Sequence, residues 1–86
     1  MRKKRKRLGR YIVADPEICH GQLTFVGTRV MVSDVLELLA DGRTVDDIIQ
    51  KCYSRLTREA VVEAVELARR ALLEHVDDYV LESVPA

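Results

Sequence analysis

Large rings are almost missing from this chain of 86 residues: it has no tryptophan, one phenylalanine and three tyrosines. A core made without them must be filled by aliphatic side chains. Hydrophobic residues still reach 48% of the sequence, too many for a chain that stays unfolded. Cysteine is scarce as well. Cys19 and Cys52 belong to no CxxC pair, which argues against a disulfide framework and fits reduced thiols in a cytoplasmic protein. There are two histidines, His20 and His75, and no group of three or four ligands has zinc spacing, so no metal is expected at Cys19-His20. No apolar run nears the ~18 residues that span a membrane. The apolar stretch that follows the basic start, Leu8 to Asp15, is too short for the hydrophobic part of a secretory signal. A glycine-rich phosphate loop is absent, and neither cysteine has the surroundings of a nucleophile. The acidic pairs Asp46-Asp47 and Asp77-Asp78 suit helix starts, where they complement the dipole. The expectation is a protein that is not an enzyme and needs no cofactor.

What is present is an uneven charge. The chain is formally neutral, with fourteen basic and fourteen acidic residues. Arg2, Lys3, Lys4, Arg5, Lys6, Arg7 and Arg10 put seven of the basic ones in the first ten positions, where there is no acid. The other 76 residues therefore hold seven basic against fourteen acidic side chains, a net of −7. Residues 1–10 read as a disordered basic arm. Such arms gain affinity for nucleic acid by releasing phosphate counterions. The plainer role is a solubilising tail.

Residues 11–86 read as one domain, mainly α with a small β part: short strands or a hairpin over 11–32, a three-helix, helix-turn-helix-like core over 33–76, and a tail over 77–86. Tyr11-Ile12-Val13 is a short β-type run broken by Asp15-Pro16-Glu17. Two strands around a turn at Val26-Gly27-Thr28-Arg29 are expected from the β-branched segment up to Val32. Ser33 is the expected cap of a first helix that ends at Gly42. Thr44 caps a short second helix that ends near Lys51. Thr57 caps a third from about Arg58 to His75. Its apolar stripe of Val61, Val65, Ala68, Leu72 and Val76, widened by Ala64, Leu67 and Ala71 on one side and by Val62 and Leu73 on the other, exceeds the ~100° that a surface helix needs. Tyr79-Val80-Leu81 is expected to form a last short strand.

Asp15-Pro16-Glu17-Ile18, Gly21, Val26-Gly27-Thr28-Arg29-Val30, Val32-Ser33-Asp34-Val35-Leu36, Leu39-Ala40-Asp41-Gly42, Val45-Asp46-Asp47-Ile48 and Leu56-Thr57-Arg58-Glu59 follow one another between Ile12 and about Ala68. In that order and spacing they resemble the bacterial domain-of-unknown-function family 433, whose members are regarded as antitoxins of the VapB type. The departures are Gln22-Leu23, where the family usually has lysine-proline, Ser54 in place of a proline, and the basic arm. The resemblance implies a homeodomain-like or winged-helix-like helical core and a role beside a PIN-like ribonuclease toxin.

Two sets of residues are candidates for function. The basic arm, Arg2, Lys3, Lys4, Arg5, Lys6, Arg7 and Arg10, is the first contact expected with DNA. The turn Cys52-Tyr53-Ser54-Arg55-Leu56 between the last two helices adds Arg55 and Arg58, placed to reach base edges, and Lys51, placed for phosphate. Against deep groove insertion, Glu59, Glu63, Glu66 and Glu74 are expected to point outward, with Glu66 and Arg70 as an i,i+4 pair. In the loop Gly27-Thr28-Arg29, Arg29 either binds a phosphate or a partner carboxylate, or ties the β part to a helix as a half-buried fork of donors; the structural tie is preferred. The small size and the overwide third helix lead to a homodimer. A competing reading is a protein-interaction module with no nucleic-acid role.

Overall fold

The computed structural model describes residues 4–85. It is mainly helical, with a three-stranded antiparallel sheet at the N-terminal end. The strands are β1 (Lys6–Arg7), β2 (Ile12–Ala14) and β3 (Leu23–Phe25), in the order β1-β2-β3. The helices are α1 (Val32–Ala40), α2 (Val45–Asp47) and α3 (Arg58–Glu74).

The basic segment is not irregular throughout. Lys6 pairs with Ala14 and Arg7 with Val13, and the turn is closed by the N–H of Leu8 donating to the carbonyl of Ile12 at 3.0 Å. A row of like charges carries no apolar alternation, which is why this strand reads as a disordered arm from sequence. β2 is the central strand, and its Ile12 and Val13 are buried. The turn at Gly27 also forms. Gly27 takes φ +77°, and the N–H of Thr28 donates to the carbonyl of Phe25. Its second limb is a single bridge, Thr24 to Met31, and not a strand. That bridge holds Met31 extended, so Met31, without a side-chain cap, precedes α1 where Ser33 is expected.

The remaining helix ends follow their caps. α1 stops where Gly42 takes φ +96° and the N–H of Arg43 donates to the carbonyl of Leu38 at 3.0 Å, a glycine-terminated helix end. Thr44 accepts from the N–H of Asp47 at 3.0 Å, and Thr57 from that of Ala60 at 3.2 Å. α2 runs on as a π-turn over Ile48–Cys52 before the chain leaves helical geometry at Tyr53. After α3 a 3₁₀ turn covers Val76–Tyr79, so the short strand expected at Tyr79-Val80-Leu81 is absent. No partner strand lies beside it.

The core joins the sheet to all three helices. Ile12, Phe25, Val32, Val35, Ile48, Leu56, Ala60, Val61 and Ala64 form one buried cluster. All the buried residues of α3 lie within its first seven positions. The Cα radius of gyration is 14.9 Å, against about 12 Å for a compact chain of this length. The distal half of α3 and the residues after it account for that excess, because they leave the body.

Thr24 is fully buried, and its hydroxyl has no hydrogen-bond partner. An orphaned buried hydroxyl costs more than a methyl of the same shape. Thr24→Val is therefore expected to raise unfolding stability by about 1 kcal/mol, read as a higher urea midpoint at unchanged slope.

Candidate functional site

Two surfaces meet through one side chain, Glu63. It lies on the first half of α3 and turns toward the sheet. The N–H of Arg10 donates to its Oε2 at 3.0 Å and the N–H of Tyr11 to its Oε1 at 2.7 Å. The carboxylate thus occupies the turn between β1 and β2. Gly9 makes room for it, since a Cβ there would overlap the Glu63 carboxylate and push it off its two donors. Glu63 is therefore not one of four outward acids. Its charge is spent on two backbone donors of the basic segment.

The basic side chains divide by strand alternation. Lys4 and Lys6 line one open depression of about 680 Å³ together with Ala14, Pro16, His20 and Gly21. Arg5 and Arg7 lie on the other side, against Val13 and Val26. Arg7 is committed to its own turn: Nε donates to the carbonyl of Gly9 at 3.1 Å and a terminal nitrogen to that of Arg10 at 2.8 Å. The Arg10 guanidinium sits 5.5 Å from the centre of the Tyr11 ring, a cation–π contact. Lys4, Arg5 and Lys6 are exposed and have no acidic partner among the described residues. Arg2 and Lys3 lie outside the described residues.

The cations near the helix pair are placed differently. Arg58 meets Asp46 at 3.4 Å and Lys51 meets Asp47 at 3.7 Å. Both pairs are exposed and contribute little stability, but they place an acid beside each of two expected DNA contacts. Arg55 is exposed and has no ion pair among the described residues. It borders a small cleft with Tyr11, Phe25, Val26 and Thr28. Glu66 pairs with Arg69 at 3.8 Å, one turn position short of the expected Arg70.

The loop residues are chiefly structural. Thr28 donates its hydroxyl to the carbonyl of Phe25 at 2.8 Å and accepts from the N–H of Val30 at 3.0 Å. Arg29 is exposed, and its guanidinium takes no partner among the described residues, so the half-buried tie expected of it is not made. Arg29 meets the neighbouring loop through its backbone instead: its carbonyl accepts from the side-chain thiol of Cys19 at 3.6 Å. Among the described residues no group of three or more His, Cys, Asp or Glu is placed to hold a metal ion. None of the helices there is long and apolar enough to cross a membrane.

The second surface starts at Val62, runs along the distal half of α3 and continues past its end. Val62 is 47% exposed, Val65 41%, Leu72 51% and Val76 51%. Leu73, Tyr79, Val80, Leu81 and Val84 are exposed too. Leu67 and Ala71 are the residues of this half that reach partial burial.

A family model described as "Protein of unknown function (DUF433)" matches residues 12–68. No curated protein and no solved structure matches the chain.

Hydrogen bonds to a charged acceptor contribute more than neutral ones, and here two depend on one carboxylate. Glu63→Ala is expected to cost about 1–3 kcal/mol. Gly9→Ala should destabilise in the same range in the wild-type chain and by much less in a Glu63→Ala background. A double-mutant cycle by urea unfolding reads this coupling, and additive losses would refute the clamp.

Proposed function

The chain belongs to the DUF433 family, and from that membership we propose that it is a cytoplasmic, non-enzymatic binding module of the antitoxin type, paired through the exposed apolar stripe of α3 with a second copy of itself. The observation that carries this reading is the uncovered apolar stripe of Val62, Val65, Leu72 and Val76. A contiguous apolar face of this kind marks an interaction site more often than idle surface. A second copy fits it because the stripe reads nearly alike from either end. In an antiparallel two-fold pairing Val65 of one copy lies against Leu72 of the other, and Val62 lies near Val76. Ala68 lets the helices approach closely. Arg69, within the stripe, is drawn aside by Glu66.

The antitoxin role rests on the family resemblance and on charge. Beyond the first ten residues the chain is net −7. That sign complements the basic cleft of a PIN-like ribonuclease. Nucleic-acid contact is a second reading, favoured by the exposed Lys4, Arg5 and Lys6 on the hairpin. The helix-turn-helix use of Lys51 and Arg58 has less support, since both already face carboxylates.

Light scattering at micromolar concentration is expected to give the dimer mass. Val65→Asp with Leu72→Asp should give the monomer at unchanged helix content. A monomeric wild-type chain would sink the pairing. For the antitoxin role, co-expression with a PIN-like ribonuclease encoded beside it should yield a stable complex and relieve the growth arrest that the ribonuclease causes alone. If neither is seen, the interaction module without a toxin partner stands instead.

A further inference from the structure

The depression beside β1 brings together three groups of one chemistry. Lys6 reaches it from β1, Lys4 from the residues just before that strand, and His20 from the loop between β2 and β3. Among the described residues no acidic side chain lines it. Its floor is Ala14, Pro16 and Gly21, small or rigid residues that leave the three nitrogen-bearing side chains as the polar wall.

The backbone at His20 adds a second observation. Cys19, His20 and Gly21 all have positive φ, 49°, 57° and 82°. The left-handed region is costly for residues with a Cβ and free for glycine. The chain nevertheless places an imidazole there, exposed, at the rim of the lysine-lined depression. Strain of this kind persists where the surroundings over-determine the conformation, and it collects at ligand-binding positions.

The opposite face of the hairpin is less suited to the same task. Arg7 already bonds two carbonyls of its own turn, and Arg5 lies over Val13 and Val26 in a smaller hollow of about 200 Å³. On the first face no lysine nitrogen is used by the protein itself among the described residues.

We propose that Lys4, Lys6 and His20 cradle a backbone phosphate of nucleic acid, which makes this face of the pinned β1–β2 hairpin the contact surface. The inference rests on the nucleic-acid reading above and deepens it. Two ammonium groups supply charge and counterion release. His20 supplies a ring N–H from a fixed position. A contact made to phosphate positions the duplex without reading its bases, so the binding is largely independent of sequence.

The experiment is fluorescence-anisotropy titration of a labelled DNA duplex with the full chain at several salt concentrations. The wild type should bind with a log–log salt slope of about −4 to −6 if five or six of its basic groups neutralise phosphates. Lys4→Gln with Lys6→Gln should weaken binding at low salt and make the slope shallower by about 2. His20→Gly relieves the backbone strain and so cannot fail by misfolding; it should weaken binding roughly three- to tenfold. Arg5→Gln serves as the comparison and should shift the affinity less than either. If the wild type binds no DNA, the nucleic-acid reading falls and the cradle with it. If the wild type binds and the Lys4, Lys6 and His20 variants match it, the cradle alone is refuted; a loss confined to Arg5→Gln would move the contact to the other face. Saturable amide shifts at His20 and Lys6 with inorganic phosphate alone, at concentrations where DNA gives none, would likewise overturn the assignment to nucleic acid.

Discussion

A carboxylate in the first half of α3 closes a turn that lies 53 positions earlier in the chain. Through Glu63, the helix grips the main chain of Arg10 and Tyr11, and the consequences run in both directions. On the sheet side, the turn is held so that Leu8 bonds back to Ile12 and β1 lies along β2. On the helix side, the grip fixes rotation about the helix axis. At 3.6 residues per turn, placing Glu63 toward the sheet points Ala60, Ala64 and Leu67 inward with it. Leu72 lies within about 20° of the buried Val61 around the helix axis, yet it is exposed. The exposed stripe is thus chiefly a consequence of a helix that runs past the small body it packs on.

The same carboxylate explains how the described part of the basic segment, residues 4–10, comes to hold a defined conformation. Coulomb attraction to an acidic body would draw the basic segment in, yet it would not choose a register, because the charges are mobile on long stems. Two N–H groups on adjacent residues do choose one. They must point at one carboxylate together, and Gly9 must be free of a Cβ for the carboxylate to reach them. Arg7 then turns inward to satisfy the carbonyls of Gly9 and Arg10. One positive side chain is used to finish the turn, and Lys4, Arg5 and Lys6 stay exposed, with Lys4 and Lys6 lining one hollow and Arg5 another.

Local chemistry made much of the fold legible. Thr44, Thr57 and Gly42 mark helix ends through bonds that span three to five residues, and all three act where they stand. Gly27 marks a turn for the same reason. The failures are non-local. β1 carries no apolar alternation, and the residue that orders it, Glu63, is far away in sequence and looks like one more exposed acid. Ser33 is an adequate cap by type, but the bridge from Thr24 to Met31 starts the helix earlier. Tyr79-Val80-Leu81 has strand composition without a neighbouring strand to pair with. The candidate site was legible in charge alone. Which of the basic residues are exposed, which serve the fold, and that His20 joins them all required the positions of β1 and the Cys19–Gly21 turn.

The two uncovered features are carried by one helix. The clamp sits on the first half of α3, with the basic hairpin beyond it, and the apolar stripe starts beside it at Val62 and runs past the helix end to Val76. Residues 12–68, which match the family model, take in the clamp's carboxylate and the core. The hairpin strand β1 precedes them, and Leu72 and Val76 follow. Val65 and Leu72 lie on the far side of the helix from Glu63, so pairing through them leaves each hairpin uncovered. A dimer formed in this way presents two basic hairpins. Each alone would bind a polyanion weakly and at the mercy of salt. Held in one particle, the second contact becomes intramolecular, and its effective concentration, rather than any new contact, raises the affinity. The proposed phosphate cradle and the proposed helix pairing would therefore be energetically linked although no residue belongs to both. Disrupting the stripe at Val65 and Leu72 should weaken nucleic-acid binding without removing a single positive charge.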